Sequence, residues 1–184
     1  MEFGNGAQVR NEVASALPRS STTSVRILAA LALARAGDTD RAQKMADDLQ
    51  KENPLNTMIN GYWLPTIRAA VEISRKNPKK AIQILEAAAP YELGIPAPSL
   101  AFGATLYPVY LRGQAYLTLR QGSAAAGEFQ KYVDHRTVVN SYPLGRWPAS
   151  ALPAPMPCST TPRPALLTRI SSLSGRTPTR ASQS

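Results

Sequence analysis

The chain has one cysteine, Cys158, and one histidine, His135. A single Cys excludes an intrachain disulfide framework and a cysteine metal site. A single His has no second imidazole to share a metal with, and no nucleophile stands out as its partner. Long apolar runs are missing as well. The longest, Ile27 to Ala34, stops at Arg35, short of the ~18 residues a membrane helix needs. The opening residues, Met1 to Gly6, hold neither a basic segment nor an apolar core, so no signal peptide is predicted. Acidic residues are absent from the last part of the chain: all 12 Asp and Glu precede Gly145.

That last absence sets the domain organisation. Residues 1–145 hold 16 basic and 12 acidic residues, a net +4. Residues 146–184 hold five Arg, no Lys, seven Pro and twelve Ser or Thr. The overall +9 therefore divides into a mildly charged body and a +5 tail. Interspersed charge is an ordinary surface, and phosphate binding needs clustered cations, so no nucleic-acid partner is predicted. Pro/Ser/Thr/Arg segments bury too little apolar surface to fold, and the tail is expected to be disordered.

The body reads as amphipathic helices in pairs. Val25, Leu28, Ala29, Ala32 and Leu33 recur at helical spacing. Gly37-Asp38 ends that helix and opens the next, with Gly as the left-handed cap and Asp38 as N-cap. Ala42, Met45, Ala46 and Leu49 form its stripe, and Pro54 stops it. A second pair follows. Tyr62 to Arg75 carries Ile67, Ala70, Val71 and Ser74 along one side. Asn77-Pro78 makes the turn, with Asn77 as N-cap and Pro78 at the first helical position. Ala81, Ile84, Leu85 and Ala88 form the next stripe, and Pro90 ends it. After a loop over Tyr91 to Gly103 comes a third pair. Its stripes are Leu106, Val109, Tyr110, Gly113 and Leu117, then Ala126, Phe129, Tyr132 and Val133, with the turn at Gly122-Ser123. Ala7 to Leu17 reads as the second helix of a preceding pair, so the chain is expected to begin mid-repeat.

Helix–turn–helix units recurring about every 40 residues predict an all-α solenoid, because no unit buries its apolar face alone. Small residues (Ala30, Ala42, Ala69, Ala81, Gly113 and Ala125) are placed to let paired helices approach. Over roughly residues 7–145 the pattern resembles the tetratricopeptide repeat. Gly113, Tyr116 and Phe129 stand where that family's pattern has Gly, Tyr and an aromatic, and Pro54 matches its closing proline. The repeats exceed the family's usual ~34 residues, the third turn reads about two residues longer, and the first-helix Trp is absent.

Several stretches are similar to the C-terminal repeat region of a group of bacterial serine/threonine protein kinases. They include Ala29 through Asp38, Tyr62 through Ala70, Ala87 through Gly94, Tyr107 through Tyr110, Arg112 through Leu117, and Phe129-Gln130-Lys131. In such proteins the kinase domain precedes the repeats. No Gly-rich phosphate loop, His-Arg-Asp or Asp-Phe-Gly motif occurs here. Asp134-His135-Arg136 has the letters in another order, at the end of a repeat helix. The family resemblance implies a further repeat helix after Gly145. Codons for Arg146-Trp147-Pro148 and for Pro155 to Cys158, read one base earlier, permit Ala-Leu-Ala and Ala-Tyr-Ala-Leu. The tail thus reads either as a shifted frame of the next repeat or as a genuine linker.

The remaining polar clusters carry no chemistry of their own. Asp38-Thr39-Asp40 and Asp47-Asp48 lack calcium-loop spacing and read as a helix cap and a solvated face. Lys76 to Lys80 reads as a solvated basic turn. The expectation is a non-catalytic, cofactor-free interaction scaffold. It would be cytoplasmic or the soluble part of a membrane-linked protein, and would bind a protein or peptide segment in a groove lined by the first helix of each pair. The resemblance places Trp63, Arg68, Tyr107 and Gln114 at that groove, with aromatic and Arg side chains as its energetic anchors. A repeat module of a transcription regulator or cyclase is the other parent the pattern allows.

Overall fold

A computed structural model describes residues 6–94 and 106–135. Cys158, the 146–184 tail, Arg136 and most of the loop after Gly94 lie outside the described residues. The chain divides into two units, Met1–Pro148 and Ala149–Ser184, and every described residue belongs to the first. Among the described residues all regular structure is helical. Seven α-helices follow in order: α1 Gly6–Ala16, α2 Thr23–Arg35, α3 Thr39–Glu52, α4 Leu64–Ser74, α5 Pro78–Leu85, α6 Tyr107–Thr118 and α7 Gly122–Asp134. None is long and apolar enough to cross a membrane.

The helices pair as the spacing predicts: α2 with α3, α4 with α5, α6 with α7. The first helices also pack in a row, α2 on α4 and α4 on α6, while α3 and α5 each lean on the first helix of the next pair. α1 packs on α2. The six small residues at the pair seams are all buried. At Gly113 the reason is direct: a Cβ there would stand 2.6 Å from the Phe129 ring.

The three hairpin turns are one structure used three times. Each has three residues between helices, with the middle one left-handed: Gly37 at φ 83°, Lys76 at 66° and Arg120 at 60°. In each, the residue after the left-handed one donates back to the first helix. Asp38 N reaches Leu33 O at 2.9 Å, Asn77 N reaches Glu72 O at 2.8 Å, and Gln121 N reaches Tyr116 O at 2.9 Å. The left-handed residue itself donates to the next carbonyl of the first helix (Ala34, Ile73 and Leu117 O), closing a Schellman motif. The third turn is therefore Leu119-Arg120-Gln121 and no longer than the others. Gly122-Ser123, expected as the turn, is instead the first turn of α7. Asp38 and Asn77 stand at the expected N-cap positions, but neither side chain makes the capping bond. Asp38 makes no capping bond and pairs with Arg41 at 3.4 Å. Asn77 turns its amide back to Glu72 at 3.0 Å.

The core is centred on α4 and the turn that enters it. Trp63, Tyr62, Leu64, Ile67 and Val71 are fully buried. The helix expected to start at Tyr62 starts earlier. Ile59–Trp63 forms a π-helical turn, in which Leu64 N bonds Ile59 O. Pro65 lacks an amide and would crowd the carbonyl of Gly61 in an α turn, and the wider turn removes both problems. Gly61 is required there, since a Cβ would sit 2.7 Å from the Tyr91 ring. Asn56 caps the start by accepting from Ile59 N at 3.0 Å. Beyond Leu85 the chain tightens into a 3₁₀ turn, Glu86–Tyr91, that contains Pro90. On α2, Leu28 is 41 % exposed while Ile27 and Ala29 to Ala34 are buried. The expected single stripe becomes a helix covered on several sides, because α1, α3 and α4 all pack on it.

Candidate functional site

The first helices α2, α4 and α6 meet at a cleft of about 380 Å³ near their C-terminal ends. Arg35, from the last turn of α2, and Lys76, just past α4, supply its cations. Ser74, Gln114 and Thr118 supply its polar groups, and Ile73 and Leu117 its apolar wall. The Arg35 guanidinium lies over the Tyr110 ring, 5.6 Å from the centroid, and donates to Gln114 Oε1. Gln114 Nε2 in turn donates to the Tyr110 hydroxyl at 2.7 Å. The cation is thus held by both a ring face and an amide. Ser74 Oγ donates to Ala34 O at 2.6 Å, tying α4 to α2 beneath the cleft.

Of the four residues expected at a groove, Gln114 lines this cleft and the others lie elsewhere. Trp63 is fully buried, its ring edge-on to Tyr62 at 4.8 Å, so it offers no surface to a ligand. It closes the π turn Ile59–Trp63. Arg68 reaches across to α3, donating to Asp47 at 3.1 Å and Gln50 at 2.7 Å. Tyr107 is partly buried against the core, its ring 5.8 Å from that of Tyr110. Arg35 and Lys76 were visible in the sequence only as the end of an apolar run and part of a basic turn. Their shared signal is a cation at the C-terminal end of successive first helices.

A second cavity, about 580 Å³, opens between α1 and the start of α2, where Gln8, Glu12, Arg19 and Val25 face it. It draws on a single helix pair and on none of the expected residues.

Two buried polar networks are structural. Arg112 on α6 contacts Glu92 at 2.7 Å and Glu128 of α7 at 2.9 Å, and Lys131 adds a second cation on Glu128 at 3.0 Å. Burial alone would lower the Arg112 pKa, but the bond to Glu128 and the charges of both carboxylates raise it. Arg112 thus stays charged and ties the chain after the 3₁₀ turn to the last hairpin. Around Tyr62 the tyrosines cluster. Burial, then the charge of Glu92, raises the Tyr62 pKa far above the usual phenol value, against a small opposing effect from the Tyr107 backbone. Burial and the neighbouring Tyr62, Tyr107 and Tyr110 raise Tyr132 likewise, and its hydroxyl donates to Leu106 O. These phenols stay protonated and act as hydrogen-bonding core.

Among the described residues no three His, Cys, Asp or Glu side chains converge on a possible metal position. His135 follows the last turn of α7. The hydroxyls of Thr66 and Ser74 donate to backbone carbonyls rather than to a base. The cleft's hydroxyls and amide already donate within the chain, Ser74 to Ala34 O, Thr118 to Gln114 O and Gln114 to the Tyr110 hydroxyl, so its lining is a polar seam between the three first helices. No family model, curated protein or solved structure matches the chain.

Proposed function

We propose that the chain is a non-catalytic, tetratricopeptide-like interaction module that binds a peptide segment along the row α2, α4 and α6. The observation that carries this is the cleft itself. Its polar groups come from three separate hairpins and converge at one opening. Three identical turns at similar spacing support the repeat reading. The residue stretches similar to the repeat region of bacterial serine/threonine kinases support placing the module in such a kinase, as its regulatory arm.

An arrayed library of unrelated peptides, followed by amide chemical-shift mapping on the full chain, tests the binding claim. Bound peptides should perturb Gln114, Thr118 and Arg35. Peptides that perturb only the opposite faces of α3 and α5, or no binding at all, would sink it. Sequencing the encoding DNA upstream of Met1 and through the codons of residues 145–184 tests the kinase claim. A kinase frame running in from upstream, with one base restoring a repeat helix after Gly145, is the expected result. An upstream DNA-binding or cyclase frame would replace it.

A further inference from the structure

We infer that the groove along α1 docks a second copy of this chain, α1 against α1 in antiparallel register, with Glu12 of each copy meeting Arg19 of the other. The cavity of about 580 Å³ follows one side of α1 and reaches Val25 near the start of α2. None of its lining residues belongs to the cleft at the ends of α2, α4 and α6, so the two surfaces are separate.

The outer side of α1 is open where the other second helices are covered. α3 packs between two first helices, α2 and α4, and α5 between α4 and α6. Among the described helices, α1 packs closely on α2 alone. Val9, Val13 and Leu17 carry its apolar stripe into the core. On the open side Gln8, Glu12, Ser15, Ala16 and Arg19 are exposed, and each is polar or small. A permanently buried second helix is built differently: α3 meets its neighbours with Ala42, Met45, Ala46 and Leu49. A polar, half-open face suits a contact that forms and dissociates in water.

The charge pattern identifies the occupant. Gln8, Glu12 and Ser15 stand at i, i+4 and i+7 on one face. Arg19 continues that line in the turn leaving α1, where its N–H donates to Ala16 O at 3.1 Å. A twofold axis between Ser15 and Ala16 carries Glu12 onto the Arg19 of a second copy, and Arg19 onto its Glu12. An isologous contact needs this reciprocity, because each pairing is repeated by the symmetry. The axis passes between two small side chains, which lets the helices approach closely. Arg19 makes no ion pair among the described residues. Glu12 accepts from Gln8 Nε2 at 2.8 Å, and a carboxylate has capacity for an Arg as well. The 11 residues of α1 span about 16 Å. A face that short buries less than the roughly 1,200 Å² of stable complexes, so the dimer is weak and concentration-dependent. With little apolar area, the two reciprocal ion pairs set its register.

Sedimentation velocity on the full chain, from low to high micromolar concentration, should show a monomer–dimer equilibrium. Glu12→Arg and Arg19→Glu should each weaken dimerisation about tenfold, since like charges then face each other. Both variants should melt as wild type does, because both side chains are exposed. Mixing the two variants should restore dimerisation to within about threefold, as one copy of each re-forms both pairs. A chain that stays monomeric throughout overturns the inference and leaves the groove to a helix from another source. Dimers that the single variants do not weaken, or that the mixture does not restore, overturn it in favour of a different interface. Peptide binding at the cleft is untouched by either result.

Discussion

Glu72 shows how a single residue's burial and charge set a pH dependence. Its side chain is buried, yet it accepts from Asn77 Nδ2 and Lys80 Nζ, each at 3.0 Å. Burial pushes its pKa up, but those two bonds and the charges of Lys80 and Arg75 outweigh it and hold the carboxyl below the ordinary 4.5. A lowered folded pKa means stability that is fully present above the unfolded value and lost as pH falls through the folded one. Glu72→Gln should therefore cost about 2 kcal/mol in urea unfolding at neutral pH. The difference from wild type should close as the pH drops below about 4.5. A gap that persists at low pH would show that the glutamate acts by shape and not by charge. Arg120 poses the other single-residue question. Held at φ 60° with no ligand role assigned, it bears strain that glycine lacks. Arg120→Gly should raise stability by about 0.5 kcal/mol, the relief of strain exceeding the entropy glycine adds to the unfolded chain. A lower urea midpoint would show that the arginine side chain contributes contacts at the last turn.

At the scale of elements, the hairpins depend on how closely their helices approach. In α6–α7 the Gly113 backbone lies against the Phe129 ring. Alanine at 113 is favoured by helix propensity by about 1 kcal/mol, but it forces the ring to move. The net cost should be about 1–2 kcal/mol, and Phe129→Leu should remove most of it in a double-mutant cycle. Simple additivity of the two variants would mean the ring swings aside freely. The same scale explains the misread turn. Gly122 is the commoner type of turn residue and sits at a helix boundary. The left-handed position is nevertheless Arg120, because the 6→1 bond from Gln121 to Tyr116 must close at that register for α6 and α7 to face each other.

Across the whole molecule, burial is concentrated in the middle. α4 touches α2, α3, α5 and α6 and, with the π turn that enters it, supplies half of the largest buried side chains, whereas α1 buries only Val13. On α7 only Ala125 is fully buried, and Val133 is 45 % exposed. Local opening costs least where few apolar contacts are lost. Hydrogen exchange should thus be slowest in α4, faster in α7 and fastest in α1. Protection in α1 equal to that in α4 would require an unfolding unit that includes the first helix. The cleft lies on the C-terminal ends of α2, α4 and α6.

The sequence by itself determined the helices, their pairing and the buried small residues, because each rests on local spacing: apolar periodicity, Gly37, Pro54, Pro78 and the alanines of the seams. Only the tertiary structure decided which side chains reach the cleft. Trp63, at the end of a π turn, is buried in the core, and Arg68 spends its guanidinium on Asp47 and Gln50 of α3. Arg35, Lys76 and Gln114 lie far apart along the chain, and they converge because the C-terminal ends of α2, α4 and α6 pack side by side. Helix rotation and packing between hairpins are set by non-local contacts, and no local pattern encodes them.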